Sequence, residues 1–169
     1  MPRASADSRA PAAPDSPAAL KRRALGFLAR REHTRAELAR KLEPHADSAE
    51  ALEALLDALV EKRLLSDARY AEERARVLAR KYGAARIRQD LKAKGVAPEI
   101  IERLSTEDER ARAIAIVRRR YPAPAQTREE RARRVRFLQG RGFSFETIRA
   151  ALGAQADDTA EDDPFPHER

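Results

Sequence analysis

Apolar residues along this chain recur with a single period. Leu52, Leu55, Leu56, Leu59 and Val60 follow at steps of one, three and four, as do Ile87 and Leu91, and Ile114, Val117 and Tyr121. That is the spacing of a buried helical face. Alternating runs of Val, Ile or Thr, the mark of a strand, are missing. Start signals fall between the stripes. Thr34 with Glu37, Asp47 with Glu50, Thr106 with Glu109 and Thr127 with Glu130 have the spacing at which a cap side chain and a later carboxylate satisfy each other's backbone donors. Pro98 suits a first helical position and Pro122 a stop. The pattern predicts an all-α chain with helices near residues 18–31, 34–43, 48–63, 66–81, 84–94, 98–104, 106–121, 127–140 and 144–152.

The pattern also repeats. "LKAKGVAPEII" from Leu91 and "LQGRGFSFETI" from Leu138 share a basic fourth residue, Gly at the fifth, Glu at the ninth and Ile at the eleventh. Physically each is a helix C-terminus. Gly95 or Gly142 takes a left-handed turn, and Val96 or Phe143 packs back on the leucine five positions earlier. Lys94 and Arg141 put positive charge at the negative end of the helix dipole. A weaker copy from Leu42, "LEPHADSAEAL", keeps Glu50 and an apolar Leu52, but Ala46 replaces the glycine and Pro44 intrudes, so this corner must turn differently. The copies start 49 and 47 residues apart, and a period of this size means tandem units, each burying its apolar face partly on the next. The expected organisation is three three-helix repeats, at 18–65, 66–105 and 106–152, in an elongated, curved body.

Residues 1–17 are rich in Pro, Ala and Ser, and residues 153–169 are acidic and featureless. Neither has the apolar periodicity to offset its ordering entropy, so both are expected to be disordered tails. The acidic one could fold back on a basic body as a weak competitor for a polyanion, although plain solubilising extensions are commoner.

Composition narrows the function. There is no cysteine, hence no disulfide, thiolate nucleophile or Cys-based zinc site. No apolar stretch approaches a membrane span and the N-terminus lacks the centre of a signal peptide, so the expected setting is the cytoplasm. His33, His45 and His167 are scattered, "DDTAEDD" lacks the glycine turn of a calcium loop, and no phosphate-cradling glycine loop occurs. The reading is of a non-enzyme with no metal and no cofactor.

Charge is the positive signal. The net +7 understates the body, because residues 18–152 alone carry +12. Residues 18–65 hold ten Lys and Arg against eight acids, residues 69–94 nine against three, and residues 110–141 eleven against two. The last two repeats therefore suit a polyanionic or acidic partner. With Ile87 and Leu91 inward, Arg88 and Lys92 share an outward face; with Val135 and Leu138 inward, Arg133 and Arg136 point away from the core. Candidate contact residues are Arg86, Arg88, Lys92, Lys94, Arg118, Arg119, Arg120, Arg133, Arg136 and Arg141.

"TRAELARKL", "LLSDARYAEERARVLARKYGAARIRQDLKAKGV" and "RVRFLQGRGFSFETI" together resemble the RecX regulatory proteins over roughly residues 20–152. A Leu-x-Asp start, a Gly-x-x-Arg-Ile turn and a Leu-x-x-Lys-Gly end occur at family-like spacing in the middle stretch. The resemblance implies tandem three-helix repeats and a role in recombination, DNA repair and the SOS response. Such proteins bind in the deep groove of the RecA filament on DNA. They inhibit its ATP hydrolysis, strand exchange and co-protease activity. It further implies a monomer that meets DNA weakly or through the filament. The family usually has Gly where this chain has Arg63, which leaves that corner without the residue that most easily takes a left-handed cap. Two other readings compete: a general helix-turn-helix-type DNA-binding protein, which would need a recognition helix offering Arg, Asn or Gln to base edges, and a purely structural repeat adaptor.

Overall fold

The computed structural model describes residues 13–104 and 108–157. The chain divides into two compact units, Met1–Tyr70 and Ala71–Arg169, and every regular element among the described residues is helical.

In the first unit, α1 (Pro17–Leu28), α2 (Arg35–Leu42) and α3 (Ala49–Glu61) enclose Leu20, Ala24, Leu38, Leu42, Leu52, Leu56, Leu59 and Leu65. The steps of four and three between these residues put one apolar stripe per helix on a common core. Each helix starts on an oxygen cap. Ser16 Oγ accepts from Ala19 N at 3.3 Å, Thr34 Oγ1 from Glu37 N at 3.0 Å and Ser48 Oγ from Ala51 N at 3.1 Å. The third corrects an expectation: Asp47 is not the cap of α3. Ser48 is the residue with extended backbone (φ −150°, ψ 162°) immediately before the first helical turn, and Ser and Asp are near-equal caps. The α2–α3 corner does turn differently, through a 3-10 turn over Glu43–His45 built around Pro44.

Two segments expected to be tail are ordered at their inner ends. The Asp15 N–H donates to the His45 carbonyl at 2.8 Å, and the Asp15 carboxylate takes Arg23 Nε at 2.8 Å. At the other end α9 runs on to Asp157, because Gln155 is 4% exposed and hydrogen-bonded. Residues 1–12 and 158–169 lie outside the described residues, as does Thr106 of the expected Thr106–Glu109 cap.

From α4 (Asp67–Ala79) the chain passes into the second unit, which holds α5 (Ala84–Ala93), α6 (Pro98–Glu102), α7 (Glu109–Arg120), α8 (Arg128–Gln139) and α9 (Phe145–Asp157). α7 packs chiefly on α9, around Ala113, Ile116, Val117, Leu138, Phe143, Ile148, Ala151 and Leu152. Val135 packs on this core as a partly buried residue, as its phase with Leu138 predicts; nothing in the sequence marks Arg134, at i, i+4 from Leu138, as buried as well, at 6% exposed. Its Nη1 donates to the Ala123 carbonyl and to Gln155 Oε1, both at 2.7 Å, and its guanidinium lies 4.9 Å from the centre of the Tyr121 ring. Gln155 Nε2 in turn donates to the Tyr121 and Ala123 carbonyls. Carbonyl dipoles and a ring face thus replace the water that this buried cation gave up.

Three helix ends share one corner. Arg63, Gly95 and Gly142 have φ of 56°, 80° and 80°. After each, the next amide closes back on a leucine: Leu64 N to Leu59 O at 2.9 Å, Val96 N to Leu91 O at 3.1 Å and Phe143 N to Leu138 O at 3.3 Å. This is the Schellman pattern. Arg63, expected to forgo a left-handed cap, adopts one at an exposed position. Gly142 carries more. The Gly83 N–H donates to Arg141 O at 2.8 Å and Ala85 N–H to Gly142 O at 3.2 Å, while Ala84 N–H donates to the Glu109 carboxylate at 2.7 Å. The free amides of the α5 N-terminus are thereby satisfied by the α8–α9 corner and by the first residue of α7. A Cβ on Gly142 would stand 2.6 Å from Arg86 N, and one on Gly83 would overlap the Gly142 carbonyl. The Gly-x-x-Arg-Ile turn is this joint, and backbone contact requires both glycines.

Candidate partner-binding surface

The joint aligns α4, α5, α6 and α7 around a groove of about 920 Å³. Six arginines line it, namely Arg76, Arg80, Arg88, Arg103, Arg112 and Arg119, against one acid, Glu72. Its floor is apolar, made by Ile87, Ile101, Leu104 and Ile116 with Ala75, Ala79 and Ala115. The small alanines create the space: longer side chains at those positions would fill it. Arginines on a concave apolar surface concentrate positive potential and suit a ligand with carboxylates or phosphates beside an apolar group.

Of the ten cations singled out from sequence, Arg88 and Arg119 line this groove and the other eight do not. Arg86, Lys92, Arg118, Arg120, Arg133 and Arg136 are exposed, and Lys94 and Arg141 are half-buried. Arg86 reaches Gln89 Oε1 at 3.4 Å, Arg141 lies 3.9 Å over the Phe137 ring and Arg120 5.3 Å from that of Tyr121. Arg76, Arg80, Arg103 and Arg112 escaped the sequence reading. One signal was available: Glu72 and Arg76 on α4 and Arg80, the residue just past its end, are spaced i, i+4, i+8 beside Ala75 and Ala79. On the same helix Arg74 clasps Asp90 of α5 with bonds of 2.9 and 3.0 Å, and this guanidinium holds the Asp90 carboxyl below its ordinary range.

Among the described residues no group of His, Cys, Asp and Glu could hold a metal ion, and no helix is long and apolar enough to cross a membrane. His33 is a core residue, 3% exposed, with Nδ1 3.0 Å from the Arg31 carbonyl and its ring beside Phe27. His45 sits in the 3-10 turn and His167 lies outside the described residues. The arrangement can attract anionic groups through its arginines.

Comparison with known proteins gives the lineage. Residues 66–104 match the model of the second RecX three-helix domain and residues 107–152 that of the third. A regulatory protein RecX of Ralstonia nicotianae is 44% identical over 149 residues, 86% of this chain and 94% of the relative. The counterpart from Leptothrix cholodnii is 47% identical over 138 residues, covering 79% and 87%. The chain belongs to the RecX family. The crystal structure of RecX from Lactobacillus salivarius has the same fold, with a TM-score of 0.73 at 20% identity over 83% of this chain and 96% of that one. Within the RecX family pattern the groove is built from both matched domains: α4 to α6 come from the second and α7 from the third.

Proposed function

We propose that this chain is a non-enzymatic regulator that binds the RecA filament on DNA in the cytoplasm and restrains its ATP hydrolysis, strand exchange and co-protease activity. The observation that carries this reading is the cationic excess of the second and third repeats, eleven to two over residues 110–141, in a chain of the RecX family. A filament on DNA is a long polyanion, and an extended set of cations suits it better than one reactive pocket. Arg133 and Arg136, exposed on α8, and Arg88 and Arg119 at the groove are the contacts we assign to it. The protein acts as a monomer and meets DNA weakly, or through the filament.

The test is a titration into RecA on single-stranded DNA with ATP turnover as readout. Turnover should fall at substoichiometric to stoichiometric ratios, and Arg133→Glu with Arg136→Glu should weaken the effect while the helical circular dichroism stays unchanged. Flat turnover over that range would remove the proposal. A sequence-selective footprint with RecA absent would replace it with a base-reading DNA-binding protein.

A further inference from the structure

The groove has a candidate occupant within the same chain. α9 runs parallel to α7: Thr147 Oγ1 near its start meets Glu109 at the start of α7, and Gln155 near its end donates to the Tyr121 carbonyl just past the end of α7. The last described residue, Asp157, therefore leaves close to the end of α7, where Arg119 lines the groove. The sequence beyond it reads "DTAEDDPFPHER". Three consecutive acids, Glu161, Asp162 and Asp163, are followed by Phe165 between two prolines. This is the complement of the groove, carboxylates for an arginine rim and one aromatic ring for a floor of Ile, Leu and Ala.

Reach is sufficient. A random coil of six to eight residues spans about 13–16 Å root-mean-square. The groove along α7, from Arg112 to Arg119, extends about 10 Å at the helical rise. Tethering also sets the effective concentration in the millimolar range, so a contact too weak to hold a free peptide is populated within one molecule. We propose that residues 158–169 dock into this groove of their own chain, with Glu161, Asp162 and Asp163 on its arginines and Phe165 on its apolar floor. The segment then acts as an internal competitor that an anionic partner must displace.

The absence of cysteine makes the test clean. The 169-residue chain carrying Glu168→Cys takes one nitroxide, and paramagnetic broadening is read on the backbone amides. Ala79, Ala84, Ala115 and Arg119 should lose most of their intensity, while Arg133 and Arg136 on α8 keep theirs. High salt should restore the groove signals, as should Asp162→Asn with Asp163→Asn and Phe165→Ala, or Arg88→Glu with Arg119→Glu. Unbroadened groove amides overturn the proposal, and so does broadening centred on α8. Broadening in a mixture of labelled chains with separate nitrogen-15 chains would place the segment in another molecule and overturn it as well. Neither RecA nor DNA is present, so failure here is distinct from failure of the filament reading.

Discussion

In the first unit Arg23, Arg31, Arg35 and Arg69 each end on carboxylates of that unit: Asp15 at 2.8 Å, Glu37 at 2.5 Å, Glu53 and Asp57 at 2.5 and 2.7 Å, and Glu32 at 2.8 Å. Hydrogen bonding to Arg31 draws the Glu37 carboxyl below its ordinary range. In the second unit residues 110–141 carry eleven cations and two acids, and six arginines converge on one groove with a single acid. The same residue type does different work in the two places. Ten cations against eight acids can tie helices together, whereas eleven against two leave a local surplus of positive charge that suits an anionic partner. The corners diverge in the same way. Arg63 turns at an exposed site, while Gly142 turns with α5 pressed against it.

The sharpest way to break this comparison is Gly142→Ala. A left-handed alanine costs about 1–2 kcal/mol, and its Cβ would also meet the Arg86 amide at 2.6 Å, which backbone cannot yield cheaply. We expect a loss of about 3 kcal/mol in chemical denaturation, with amide exchange faster at Ala84, Ala85 and Phe143. A loss below about 1 kcal/mol would mean that the joint is looser than described. Next in size is charge reversal in the groove. Arg88→Glu with Arg119→Glu should weaken the proposed inhibition of RecA turnover at least about tenfold, equivalent to about 1.4 kcal/mol, with little change in stability. In the first unit Arg35→Glu should do the opposite, lowering stability through Glu53 and Asp57 and leaving inhibition near its original level. Equal effects on inhibition would erase the division of labour.

The repeat, the helices and two of the three left-handed corners were legible in the sequence because each rests on local chemistry: a stripe, a cap, a glycine beside a basic residue. The third corner was not, because the rule that favours glycine is statistical and an exposed corner tolerates Arg63. Arg134 was missed for a related reason. An arginine reads as surface until its partners are known, and Ala123, Tyr121 and Gln155 are brought to it only by the fold. The net charge of the site was visible, but the groove depends on which helices meet. Arg88 and Arg119 were legible as outward cations and the Glu72, Arg76, Arg80 spacing marks a common face, but only the fold shows that this face and α7 line one groove.

A smaller effect concerns the ion pair found in the second unit. Asp90 is held below its ordinary range first by hydrogen bonding to Arg74, so the native state binds a proton there less readily than the unfolded chain. Its contribution is complete at neutral pH and disappears as pH falls from the usual carboxylate range through the lower native value. Asp90→Asn should cost about 1 kcal/mol or less at pH 7, since both partners are partly exposed, and the gap to the parent should close on acidification. A gap that persists below the carboxylate range would assign the effect to packing.

The gentlest prediction returns to the first unit. Arg63 holds φ of 56°, which costs a side-chain-bearing residue about 1–2 kcal/mol, whereas glycine there gives back about 0.5–1 kcal/mol in unfolded-chain entropy. Arg63→Gly should therefore stabilise the protein by about 0.5 kcal/mol. The contacts at the corner survive the change because they are made by backbone: the Leu64 amide still reaches Leu59, and the Arg63 carbonyl that takes Arg69 Nη1 at 2.9 Å is also present in glycine. Removing a side chain at one left-handed corner and adding one at the other should move stability in opposite directions. Denaturation midpoints that both fell would mean that Arg63 supports its corner through its side chain, and that the two corners are not set apart by what presses on them.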